Sequence, residues 1–231
     1  MKMDIYLGKD KEGKDFYLDF EKESIHLTLL LGETGSGKSI FHGNLYRQIS
    51  SNSTPEEAGL VFFDMTRVDF NHWEKSSYLY HPVTVDTDEA TELLEKLAGE
   101  SELRAKGKQD NGRAIFIHIE ECDMFYAYPE RVSNALAKIL EQKDKTNMYI
   151  VFSTSRIDPE FLTNLLKIAD LKVVFHTATA EDSNLLLGNE SMWDQESNSE
   201  NAGERVLVFR DKQVLCQPFT EEEVKRLEED F

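Results

Sequence analysis

A chain of 231 residues with 40% apolar and 10% aromatic side chains buries a substantial core, which excludes a disordered polymer. Its 44 acidic residues against 26 basic ones leave a net charge of −18, which excludes a broad basic face and confines any contact with a polyanion to a narrow patch. No apolar run reaches the length of a membrane span, and the start Met1-Lys2-Met3-Asp4 lacks the pattern of a secretory leader, so a cytoplasmic location is expected.

Residues 3–7 and 15–20 flank a turn containing Gly8 and Gly13 and predict an N-terminal hairpin. Leu27–Leu31, apolar but for one threonine, reads as a buried parallel strand. Residues 38–49 carry Ile40, Phe41, Leu45 and Ile49 at near-helical spacing. Residues 60–63, ending at Asp64, form a second buried strand, and residues 83–85 a short third. A helix is expected over 87–103 with Leu93, Leu94 and Leu97 on one face, then a strand over 114–119. Pro129 opens a helix that runs to about Gln142. A strand over 149–152, a helix over Pro159–Ile168 and a strand over Leu171–Phe175 follow.

This alternation predicts an α/β fold, with a mainly parallel sheet covered by helices on both faces. Two segments interrupt it: residues 104–113 are polar and basic, and residues 189–202 read as a flexible acidic loop. Arg205–Phe209 and residues 213–217 read as a closing hairpin, and Thr220-x-x-Glu223 is a capping box for a terminal helix. Cys122 and Cys216 form no C-x-x-C pair and read as reduced, buried thiols.

The strongest chemical signal is Gly32-Glu33-Thr34-Gly35-Ser36-Gly37-Lys38-Ser39, which fits G-x-x-x-x-G-K-S between a buried strand and a helix. Glycines let the backbone curl so that successive N–H groups point at phosphate oxygens, and the helix presents its positive end to the same anion. Residues 33 to 40 (Glu33, Thr34, Gly35, Ser36, Gly37, Lys38, Ser39 and Ile40) are the candidate ATP-binding set. Lys38 is expected to reach the β- and γ-phosphates, and the Ser39 hydroxyl to bind Mg²⁺. Such a site also needs a carboxylate at the end of a neighbouring strand. Residues 115–119 lead into Glu120, the candidate on the metal side, and Glu121, the candidate general base. His118 reads as a hydrogen-bonded core histidine, and no cluster has zinc-ligand spacing.

In order and spacing these motifs resemble the FtsK/SpoIIIE family. The matching blocks are Tyr6-Leu7-Gly8-Lys9-Asp10, Thr34 to Ser39, Leu60 to Asp64 with Arg67-Val68-Asp69-Phe70, Pro82 to Asp86, Glu120-Glu121, Tyr149 to Arg156, Ala180-Glu181-Asp182-Ser183 and the hairpin over 203–217. The resemblance implies a RecA-like P-loop core. It implies one motor domain over 1–231, made of a hairpin (1–24), the core (25–180) and a closing segment (181–231). It further implies an ATPase that works as a ring, hexameric in the family's manner, moving double-stranded DNA. Related motors for conjugation or protein secretion, and a non-catalytic nucleotide-binding ring subunit, are the alternatives.

Three departures bear on hydrolysis. Glu120 stands where the family has aspartate, and Ser155 where it has the sensor glutamine. The stretch before the sensor strand, Lys143-Asp144-Lys145-Thr146-Asn147, lacks the family's arginine. Lysine does not reproduce a forked contact, which leaves Arg67 or Arg156 as the cation. Arg104, Lys106, Lys108 and Arg113 form the candidate DNA-gripping cluster. Trp73 and Trp193 read as ordinary packing. Only the motor core is expected, with no DNA-reading domain after Phe231 and no membrane segment before Met1.

Overall fold

The computed structural model describes residues 4–109, 112–121, 123–193 and 203–229. Among these, the strands are β1 (Asp4–Lys9), β2 (Asp15–Asp19), β3 (Leu27–Leu31), β4 (Ala58–Asp64), β5 (Ala114–Glu120), β6 (Met148–Thr154), β7 (Leu171–Phe175), β8 (Arg205–Phe209) and β9 (Lys212–Cys216). The α-helices are α1 (Lys38–Ser51), α2 (Thr87–Ala105), α3 (Asp123–Ala127), α4 (Pro129–Glu141), α5 (Pro159–Ile168), α6 (Ala180–Leu187) and α7 (Glu221–Glu229). The chain divides into two compact units, Met1–Ser53 with Ser153–Phe231, and Thr54–Phe152. None of the described helices is long and apolar enough to cross a membrane.

In the first unit β1 and β2 form the expected antiparallel hairpin, with an irregularity between Tyr6 and Gly8. Gly8 has φ +120°, and a Cβ there would lie 2.3 Å from Arg205 Nη2, so only glycine admits the guanidinium. All five residues of β3 are buried, which is why its sequence does not alternate. It pairs in parallel with β7, Thr28 opposite Leu171. The closing hairpin continues from there: β8 lies antiparallel to β7, and β9 to β8. Asp158 caps α5, accepting from Glu160 N and Phe161 N, and α6 runs from its Thr179 cap to the left-handed Gly188. The capping box forms as read: Thr220 N donates to Glu223 Oε2 at 2.7 Å, and Glu223 N to Thr220 Oγ1 at 3.2 Å. Helix α7 packs on α1. Cys216 is a buried free thiol whose pKa burial raises to about 11; Cys122 lies outside the described residues.

In the second unit β4 and β5 pair in parallel, from Ala58 opposite Ala114 to Asp64 opposite Glu120. Both strands are fully buried. Asp86 caps α2 by accepting from Asp88 N and Glu89 N, and Pro129 occupies the first turn of α4. Helices α2 and α4 pack together, tied by the Arg131–Glu95 pair at 2.7 Å. The short strand expected at 83–85 is a single bridge instead, Thr84 opposite Phe63. Thr84 exchanges bonds with Phe62 O and Asp64 N, but Pro82 has no N–H to extend the ladder. Trp73 is packing, as read, 5.7 Å from Phe62. Helix α3 was absent from the sequence reading; at five residues it is too short to show a period.

Candidate nucleotide site

The loop between β3 and α1 is built by three glycines with left-handed backbones, Gly32 at φ +154°, Gly35 at +82° and Gly37 at +104°. At Gly32 the loop leaves the sheet between neighbouring strand ends. Gly32 N donates to Thr154 O at 3.4 Å, and Glu33 N to His176 O at 2.9 Å. A Cβ on Gly32 would stand 2.7 Å from Phe175 Cβ and 2.9 Å from His176 O, neither of which can retreat without moving β7. We expect Gly32→Ala to lower stability by about 1–3 kcal/mol, read as an earlier midpoint in urea, and to weaken nucleotide binding.

Gly37 is the N-cap of α1 and supplies no side-chain cap. The first N–H groups of the helix therefore point into the loop for an anion to take. Lys38 is 7% exposed and spans the loop, its Nζ donating to Gly32 O at 2.7 Å and Glu33 O at 3.0 Å. Ser36 Oγ is buried without a hydrogen-bond partner among the described residues. A Cβ on Gly35 would meet nothing within 4 Å. An orphaned hydroxyl, uncapped N–H groups and open space on one loop fit a phosphate chain. Thr34, Gly35, Ser39 and Ile40 are exposed along it, and Glu33 and Gly37 are half-buried.

Of the sensor residues, Ser155 is half-buried and Arg156 exposed, directly after the Thr154 carbonyl that meets Gly32. Thr154 Oγ1 accepts from Arg156 N at 3.0 Å and fixes the chain's exit from β6. Two neighbours of the loop went unread in the sequence. His176 Nδ1 lies 3.2 Å from Glu33 Oε1, and Gly203 N donates to Ser36 O at 2.9 Å. Neither has a local signal, because each reaches the loop from a distant part of the chain.

The second unit holds the remaining candidates. Glu120 ends β5 and is 5% exposed; Glu121 follows with a left-handed backbone, φ +60°. His118 is fully buried and its Nε2 stands 2.8 Å from Glu120 Oε2. Burial pushes its pKa down to about 3, against the pull of Asp69 and Asp64. Burial thus favours the neutral imidazole at this contact. Asp64, opposite Glu120, also went unread as a site feature. Its carboxylate accepts from Thr66 Oγ1, Asp69 N and Phe70 N, which builds the turn carrying Arg67. Arg67 is exposed on that turn with φ +60°, beside the exposed Val68, and its guanidinium has no partner among the described residues.

The basic segment does not form the expected cluster. Helix α2 continues to Ala105, so Arg104 falls on its buried face with Leu97 and Ser101. There it pairs with Glu100 at 2.7 Å and donates to Arg113 O. The Arg113 guanidinium lies over the Tyr80 ring at 5.1 Å. Lys106 and Lys108 alone of the four stay exposed, with Lys106 3.4 Å from Glu102. The acidic loop and Trp193 are described only to residue 193.

Comparison with known proteins places this geometry. The FtsK/SpoIIIE family profile matches residues 1–121. The DNA translocase FtsK of Leptospira interrogans is 26% identical over 218 residues, covering 82% of this chain and 23% of that protein. The chain thus spans about a quarter of the length of the curated relatives it matches. Among solved structures, the cytoplasmic domain of the Thermomonospora curvata type VII secretion ATPase EccC superposes with a TM-score of 0.80 at 18% identity, over 98% of this chain and 31% of that one. The pCW3 conjugation coupling protein TcpA, solved with ATPγS, superposes at 0.69 and 18% identity, over 99% of this chain and 70% of that one. Both superpositions show the P-loop ATPase fold. With more than half of its length matched by the family profile, the chain belongs to the FtsK/SpoIIIE family.

Proposed function

We propose that this chain is the ATP-hydrolysing motor of a cytoplasmic DNA translocase and works as a subunit of a ring, a hexamer in the first instance. The observation that carries the proposal is the glycine-built loop, with Lys38 across it and the orphaned Ser36 hydroxyl within it. Family membership supplies the reaction class. In this reading the loop N–H groups and Lys38 hold the triphosphate, and Ser39 and Glu120 are the residues that would hold a magnesium ion. Such an ion would supply positive charge to offset that of the triphosphate. Glu121 orients water and takes its proton, and Ser155 reports the state of the γ-phosphate. Arg67, exposed on the turn that Asp64 builds and with no partner for its guanidinium among the described residues, is offered to the neighbouring subunit's nucleotide, with Arg156 as the other candidate. Residues 1–231 act as one motor domain.

A second reading, a motor for polypeptide or conjugative cargo, is favoured by the net charge of −18 together with the inward-turned Arg104. ATP turnover with and without duplex DNA separates the two. Several-fold stimulation by DNA, lost at high salt, is expected of the first reading. Turnover that DNA leaves flat at every salt concentration points to the second.

A further inference from the structure

Glu120 is not alone at the end of β5. Residues two apart on a strand share a face, so His118 and Glu120 lie side by side by construction. The His118 imidazole is fully buried, with Nε2 2.8 Å from Glu120 Oε2. Its ring is held among aromatics: Phe70 lies 4.7 Å away and Phe62 6.5 Å. Those two rings stack on each other at 4.1 Å, and Trp73 closes the group 5.7 Å from Phe62. A glutamate has one more rotatable bond than an aspartate and needs something to fix it. Asp64, opposite Glu120, is already committed to Thr66, Asp69 and Phe70.

We propose that His118 is a positioning residue that fixes the Glu120 carboxylate for the magnesium–nucleotide complex, with Phe62, Phe70 and Trp73 holding the imidazole in place. The inference rests on the reading of Glu120 as the metal-side carboxylate.

The test is the magnesium dependence of affinity for a non-hydrolysable ATP analogue, measured by calorimetry with magnesium and with EDTA. His118→Leu is expected to reduce the gain from magnesium about tenfold, the scale for groups that support a metal-holding side chain. Affinity in EDTA stays at the wild-type value. His118→Gln, which returns an N–H at similar reach, restores most of the gain. Glu120→Asp, whose shorter carboxylate leaves that N–H behind, behaves like His118→Leu. A wild-type gain in His118→Leu, or a glutamine variant no better than the leucine one, overturns the inference while leaving the ATPase reading intact. If His118→Leu does not fold, a wild-type gain in Glu120→Asp overturns it equally. A wild-type protein that binds the analogue with no gain from magnesium overturns the reading of Glu120, and the inference with it.

Discussion

Lys38→Ala is expected to abolish detectable ATP turnover and to weaken nucleotide binding by two orders of magnitude or more. The ammonium is buried and already bridges two carbonyls of the loop, Gly32 O and Glu33 O. When a triphosphate enters, the same group can turn some of those donors to phosphate oxygens. Hydrogen bonds to charged groups contribute about 1.5–3 kcal/mol each, so losing one or two of them costs on the order of a hundredfold in affinity. The alanine variant also loses the strut across the loop. Arginine is not expected to repair this, since a planar guanidinium does not reproduce the compact ammonium that meets both carbonyls. Calorimetric titration of wild type and variant with an ATP analogue checks the affinity, and phosphate release checks turnover. An alanine variant that binds and hydrolyses like wild type removes Lys38 from the site.

Arg205→Ala is expected to be the most damaging single substitution for stability, by about 3–5 kcal/mol, the scale for truncating a large, buried, hydrogen-bonded side chain. The side chain is 1% exposed, and among the described residues no carboxylate lies in contact with its guanidinium. It binds three carbonyls instead. Nη2 donates to Leu7 O at 2.6 Å; Nη1 donates to Gly203 O at 2.7 Å and Gln217 O at 3.1 Å. The guanidinium lies over Phe219 at 4.1 Å and Phe41 at 5.3 Å. Burial lowers its pKa to about 10, still charged at neutral pH. One residue thus joins the N-terminal hairpin, the closing hairpin and the first turns of α1. A domain has about 5–15 kcal/mol of stability in total, so the loss consumes a large share of it. Arg205→Lys recovers little, because a single ammonium cannot serve all three carbonyls and stack on a ring. The denaturation midpoint measures the effect. Nucleotide affinity should fall with it, because the Gly203 N–H that holds Ser36 O sits two residues before Arg205. A midpoint within experimental scatter of wild type contradicts this account of the closing segment.

The parts legible in the sequence are those governed by local rules. The buried strand, glycine loop and helix could be read from residues 27 to 51 because apolar run, left-handed positions and helical period all lie within one stretch. The capping box at Thr220 and the glutamate pair after an apolar strand are equally local. The rest depends on contacts between distant residues. Arg104 looked cationic and exposed in sequence, yet a helix longer than its apolar pattern suggested turned it onto Glu100. Asp64 read as a strand end; only its three donors reveal that it builds the turn under Arg67. The His176 and Gly203 contacts to the loop join residues far apart in the chain, and no spacing rule announces them. His118 was legible as a core histidine, but its bond to Glu120 needs the aromatic group that orients the ring.

Titration of the purified chain with a non-hydrolysable ATP analogue asks whether the loop from Gly32 to Ser39 holds a nucleoside triphosphate. Saturable one-site binding per chain, tightened by magnesium and lost in Lys38→Ala, is the predicted result. Heat signals indistinguishable from buffer dilution for adenine and guanine nucleotides alike, in folded protein at high concentration, would contradict it.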